Sequence, residues 1–356
     1  MALPIVVDGH LDTPQRMLDE GVDIATRLPD GHVDLPRMRE GGLSAAFFAI
    51  WVDATYGPGT AYARATALID VVSAFADGTR GAELVTGAAG VRRAAAAGRI
   101  AVLLGVEGGH AIENSLENLA ALYRRGVRYL TLVWNNGNDW AGASLDPRRP
   151  GGLTSFGREV VRRMGELGML VDLSHASDAT FRDALDAARG PVIASHSACR
   201  ALAAHPRNLT DEQLRAIAKR GGVVGINFFP VFLDDGFRAA YENLNRRLEP
   251  GFASIRDRFR GRPGAAEFEI DRYRSAQLGG IRIPSVDRLV DHIEHAVRVM
   301  GVDHVALGSD FDGISVLPPP MKDATSLPLL VRALGARGMS DSDVAKILGE
   351  NFLRLL

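Results

Sequence analysis

Short apolar runs that end abruptly on polar residues recur along this chain. The clearest are LVDLSH (170–175) and PVIASH (191–196), in which Leu170, Val171 and Leu173, then Val192 and Ile193, lead to a Ser-His pair. A near-continuous apolar run of this length marks a parallel strand buried on both faces. The same pattern predicts eight strands, at 4–10, 45–52, 100–106, 127–134, 170–175, 191–196, 222–229 and 304–309. Helical segments are expected between and after them, at 15–21, 60–77, 90–97, 115–125, 154–167, 177–188, 210–220, 286–300, 327–334 and 341–355. Gly168 is placed to stop one of these helices, and Thr210 with Gln213 is placed to open another as a capping box. Residues 230–282 form a long, charged, aromatic-dotted insertion between strands seven and eight, expected to be mostly helical.

Strand and helix alternating eight times predicts the α/β class. The specific expectation is a (β/α)8 TIM-type barrel forming one domain over residues 1–356. An open doubly wound sheet is the alternative. No internal repeat or interdomain linker interrupts the pattern.

Composition narrows the partners. Hydrophobic residues make up 46% of the 356, enough for a large core, and the formal net charge of −2 offers no electrostatic footing for nucleic acid or an anionic membrane. The only cysteine, Cys199, excludes an internal disulfide framework and a cysteine-based zinc site. Although it follows His196 closely, it reads as a small buried residue and not as a nucleophile. The opening MALPIVVDGH has neither a basic start nor a long apolar stretch, and nothing approaches the ~18 apolar residues of a membrane span. A cytoplasmic protein without a membrane partner is the expectation.

In a barrel the carboxyl ends of the strands converge on one mouth. Six acid/base side chains lie at five such ends: His10 and Asp12, Glu107, His175, His196, and Asp310. A lone histidine at a strand end is as readily a hydrogen-bonded structural residue. Six groups of the N and O donor types that suit zinc and related ions argue for a metal site instead. They exceed the three protein ligands of a mononuclear catalytic zinc, so a pair of ions sharing a carboxylate fits better. His292 and His295, at i and i+3 on a helix, read as a solvated face. Arg207, in the loop after strand six, has the planar fork that suits a substrate carboxylate. Asn135, in the loop after strand four, is a candidate for polar substrate contact, although turn formation explains it equally well.

The motifs DGHLD, GVEGGH, LVDLSH, PVIASHS, HPRNLTD and LGSDFDG occur in this order. Together they resemble the renal (membrane) dipeptidase family, peptidase family M19, of the amidohydrolase superfamily. The resemblance implies a (β/α)8 barrel with two zinc ions that cleaves dipeptides, often with a D-residue at the second position. It implies that His10 and Asp12 bind one ion, His175 and His196 the other, and that Glu107 bridges them. It further implies that Asp310 is the general acid/base for a metal-bridged hydroxide and that Arg207 holds the substrate carboxylate. A homodimer is expected from the resemblance alone.

One position departs from the family. Where members carry a histidine after strand four, this chain reads TLVWNNGNDW, with Trp134 at the matching place and Asn135 beside it as a candidate substitute donor. The animal family's membrane-anchored setting is not expected to apply, because no anchor-type tail is seen. Another amidohydrolase activity on the same ions, such as N-acyl-amino-acid or lactam hydrolysis, is the alternative, and a non-catalytic barrel is a more distant one.

Overall fold

A computed structural model describes residues 4–148 and 151–356. Among them are nine strands: β1 (Val7–Leu11), β2 (Ala45–Trp51), β3 (Ala82–Leu84), β4 (Ile100–Glu107), β5 (Val127–Thr131), β6 (Leu170–Asp172), β7 (Val192–Ser197), β8 (Val223–Asn227) and β9 (Val305–Gly308). Eight of them close a parallel barrel in the order β1-β2-β4-β5-β6-β7-β8-β9, with β9 pairing back to β1 at Asp8↔Leu307. The ninth, β3, was not expected from the sequence. It pairs only with the first three residues of β4, below the point where β5 begins.

The two faces of each strand separate cleanly. Ala45, Phe47, Ala101 and Leu103 share an apolar cluster with Tyr129, Leu170, Ile193, Val223, Ala306 and Phe352, which fills the barrel interior. Their neighbours Ala46, Phe48, Val102 and Leu104 belong to the larger cluster under the helices. Because side chains alternate with period two, the interior column of β4 runs Ala101, Leu103, Gly105, Glu107. That of β8 runs Val223, Gly225, Asn227. The polar residue at the top of each column therefore faces the mouth.

Two site-bearing strands leave this simple alternation. The ladder between β1 and β2 slips between Asp8 and Leu11, and that between β7 and β8 slips between Ala194 and Ser197. Val7 packs in the interior cluster whereas Leu11 packs in the outer one. The slip thus turns His10 inward, the use to which bulges beside functional sites are often put.

The predicted strand 170–175 is shorter than expected, because its last three residues leave the ladder. His175 there adopts a left-handed backbone, φ +68°, as does Asp310 at φ +63°. The expected caps form: Thr210 and Gln213 make the capping box of the helix Asp211–Lys219, and Gly168, at φ +77°, ends the helix Ser155–Leu167.

Between β8 and β9 run the helices Pro230–Leu233, Asp235–Arg258, Pro263–Ser275 and Val286–Met300. The inserted helices have small apolar clusters of their own, around Phe237 and Tyr241 and around Phe252 and Ile270. One expectation fails in the last helix. His292 is fully buried on its apolar side, accepting from Cys199 N at 3.1 Å through Nδ1 and facing Leu233 O at 3.0 Å through Nε2. His295 is half-buried and pairs with Asp211. An imidazole whose two nitrogens are both satisfied can occupy a core-facing position.

Candidate metal centre

The mouth of the barrel gathers the six predicted acid/base residues, all buried. Glu107 lies between the histidines. Its Oε2 is 3.5 Å from His10 Nε2, and its Oε1 is 2.9 Å from His175 Nε2 and 3.4 Å from His196 Nε2. Asp12 Oδ2 is 3.5 Å from His10 Nε2. Three overlapping triads have donor atoms within 4.8 Å of one another: His10–Asp12–Glu107, Glu107–His175–His196, and His10–His196–Asp310.

Each imidazole is held from behind through Nδ1. His10 meets Tyr129 Oη at 2.9 Å, His175 meets Asn135 Oδ1 at 2.9 Å, and His196 meets Ser195 Oγ at 2.8 Å. Gly105 is what admits Tyr129: a Cβ there would lie 2.0 Å from its ring. The opposite nitrogens all turn toward Glu107. His175 and His196 bring their Nε2 atoms within 3.0 Å of each other, and among the described residues His10 Nε2 and Glu107 Oε1 have no hydrogen-bond partner. Buried polar atoms left without partners are costly, and lone pairs converging in this way suit a cation. The donor set therefore fits divalent metal.

The charge states of His175, His196, Glu107 and Asp310 agree with that fit, whereas His10 is held well above the usual imidazole range, against its burial, by Tyr129, Glu107 and Asp12, so an ion there must displace its proton. Burial lowers the pKa of His175 to about 3, with Arg207 adding to the effect. Burial and the nearby His10 also lower that of His196, so both rings are neutral and able to ligate. For Glu107 burial works against ionisation, but His10 and His175 hold it well below the usual carboxylate range. Burial likewise opposes charge on Asp310, yet His196, His10 and a 2.9 Å hydrogen bond from Asn227 Nδ2 keep its pKa low.

A cavity of ≈ 370 Å³ opens beyond these groups. Arg207 lines it, 3% exposed, with Nη2 donating to His196 O at 3.1 Å. Among the described residues its Nε and Nη1 have no partner. Burial lowers its pKa to about 10, against the pull of Glu107 and Asp310, so it remains a cation at neutral pH. Trp134 lines the same cavity and meets Trp51 edge to face, with centroids 5.0 Å apart. Asn135 also lines it, although its carbonyl is committed to His175. Backbone comes close here as well: a Cβ on Gly313 would lie 2.1 Å from Asp12 Oδ2 and 2.6 Å from Asp310 Oδ1. Cys199 stands apart, its thiol pushed up to about 12 by burial and the nearby Asp211.

Sequence reasoning missed Tyr129, Asp172, Ser195 and Asn227. Asn227 repeats the signal used for the other strands, a polar residue closing an apolar run. Tyr129 gives no local signal, since it meets a residue 119 positions away.

A parallel barrel with paired clusters of imidazole and carboxylate at its mouth is the architecture of metal-dependent hydrolases. The family model "Membrane dipeptidase (Peptidase family M19)" matches residues 1–356, and the chain belongs to that family. It is similar to the crystal structure of a metallopeptidase called dipeptidase AC, at 29% identity and TM-score 0.80, over 99% of this chain and 97% of that one. It is also similar to a metallopeptidase from Rhodobacter sphaeroides liganded with a phosphinate mimic of the dipeptide L-Ala-D-Ala. There the identity is 28% and the TM-score 0.79, over 99% of both chains. A probable dipeptidase, PvdM from Pseudomonas aeruginosa, matches at 25% identity and TM-score 0.83, over 99% of this chain and 94% of that one. Among the described residues, no helix is long and apolar enough to cross a membrane.

Proposed function

We propose that this chain hydrolyses dipeptides, L-Xaa-L-Xaa and L-Xaa-D-Xaa, with two divalent ions, zinc by preference. His10 and Asp12 would hold one ion and His175 and His196 the other, with Glu107 between the two sets. The observation that carries this reading is the position of Glu107, whose two carboxylate oxygens face different imidazole sets. The ions, when bound, supply an activated water at neutral pH and polarise the scissile carbonyl.

The protein's own groups do the rest. Asp310, anionic and steadied by Asn227, accepts the proton of the attacking water and returns it to the leaving amine. Arg207, with two nitrogens free and the cavity in front of it, takes the substrate carboxylate. That fixed distance from the carboxylate to the ions selects dipeptides over longer chains. Trp134 and Asn135 border the substrate on the side of β5, Trp134 able to offer one N–H and Asn135 its amide. The Rhodobacter sphaeroides protein was crystallised with a mimic of a dipeptide ending in D-Ala, which supports including D-residues at the second position.

The test is a dipeptide library offered to protein reconstituted with zinc or manganese, with total metal measured on the same sample. Two ions per chain together with turnover of free dipeptides is the expected result. Two ions with no turnover sinks the dipeptidase reading, and turnover only of amino-blocked substrates replaces it with an acylase.

A further inference from the structure

Behind His196 stands a carboxylate that the proposed reaction does not use. Asp172 is fully buried at the end of β6, and four donors converge on it. Oδ1 accepts from Ser174 N at 3.1 Å and Ser195 N at 2.8 Å, and Oδ2 accepts from Thr131 Oγ1 at 2.6 Å and Ser195 Oγ at 2.7 Å. With four donors on its two oxygens the carboxylate acts as acceptor, and the Ser195 hydroxyl proton points at Asp172. The Ser195 oxygen then has only lone pairs for His196 Nδ1, 2.8 Å away, and the imidazole must carry its proton there. His196 Nε2 is thereby left bare toward Glu107.

We infer that Asp172, acting through Ser195, is a positioning residue that fixes the tautomer of His196 and strengthens it as a ligand for the ion it shares with His175. The inference rests on the metal reading above. The three imidazoles are not backed alike: Tyr129, which itself donates to Gly9 O at 3.2 Å, orders His10 through a neutral hydroxyl, and Asn135 backs His175 with a neutral amide. Among the described residues, only His196 of the three has a carboxylate in line behind it. Outer partners of metal-bound histidines typically change metal affinity by ~10–100-fold.

The Asp172→Asn substitution inverts this logic. The two backbone N–H groups hold the amide oxygen at the Oδ1 end, so the new NH2 faces Ser195 and donates to it. The Ser195 proton is released toward His196 Nδ1, and the imidazole proton moves to Nε2, in the way of the ion. Three variants separate this from a purely structural role, namely Asp172→Asn, Asp172→Asn with Ser195→Ala, and Thr131→Val, which removes a donor to the same carboxylate outside the relay. Affinity for zinc is measured by chelator competition, the tautomer of His196 by 15N spectra of metal-free protein, and folding by thermal melts.

The expected result is ~10–100-fold weaker binding of one ion in Asp172→Asn, with the Nε2-protonated tautomer. The double variant binds no more weakly, as expected for groups acting in series, and Thr131→Val binds within a few-fold of the parent. Equal weakening by Thr131→Val, or an unchanged tautomer and affinity in Asp172→Asn, overturns the relay. If Asp172→Asn does not fold, a Ser195→Ala single variant with parental zinc affinity overturns it equally. A parent protein that binds no zinc overturns the metal reading instead.

Discussion

The barrel mouth and the outer face of the inserted helices both carry charged side chains but use them in opposite ways. At the mouth, His10, Glu107, Asp172, His196 and Arg207 are each at most 3% exposed, and each position is fixed by a strand end, a ladder slip or a hydrogen-bonded neighbour. On the outer face of the insertion the charges meet solvent, as in the pairs Arg256–Glu249, Arg258–Glu269 and Arg260–Asp257, whereas Glu267, Asp271 and Arg274 of the same helices turn to the cavity. Exposed pairs contribute little because water and salt screen them, whereas a buried charge without its partner is costly. The same residue types therefore serve solubility in one region and chemistry in the other.

Substitutions should separate the two regions by orders of magnitude. Asp310→Asn should retain both ions by elemental analysis while kcat falls ~10²–10⁴-fold, the usual weight of a general acid/base; loss of an ion would make Asp310 a ligand. Arg207→Ala should weaken substrates with a free carboxylate by ~1.5–3 kcal/mol, the range for a charge-assisted contact, and KM should show it. An unchanged KM would remove Arg207 from the substrate's path.

Metal uptake should depend on pH, with a sign that follows from Asp12. Burial raises its pKa to about 8, with Glu107 and Asp310 adding to the effect and His10 opposing it. An ion binds the ionised form, so below about pH 8 it must expel this proton, and apparent affinity should fall ~10-fold per pH unit for each proton displaced. Calorimetry at pH 7 in buffers of different ionisation enthalpy should count released protons. Uptake with none released would contradict the assignment. At the small end, Arg260→Ala in the insertion should change stability by no more than about 0.5 kcal/mol and leave turnover intact. A large loss there would mean that the two regions are coupled.

The same contrast explains what could be read from the sequence. Strands such as Ala45–Trp51 and Ile100–Glu107 announce themselves because burial on both faces demands an unbroken apolar run. The polar residues that end them are conspicuous for the same reason. The strand Ala82–Leu84 has three residues and one neighbour, too little for a pattern. The polarity of its imidazole places His292 on a solvated face, although Leu289, Ile293 and Ala296 around it trace the buried stripe of its helix. The supporting partners, Tyr129 and Asp172, owe their roles to strands brought together by barrel closure. Periodicity along one segment shows which way a side chain faces, but not which distant group it meets.

The seam between β1 and β9 has a consequence for synthesis on the ribosome. His10 and Asp12 are translated roughly three hundred residues before Asp310, yet the barrel joins them through neighbouring strands. Until residues 305–308 are released, β1 and β8 are open sheet edges, and the nascent chain holds five of the six mouth groups without the strand that closes the ring. Such edges are prone to wrong pairing. A metal captured at that stage would meet a half-built site, so the order of loading and closure becomes a step at which this protein can go astray.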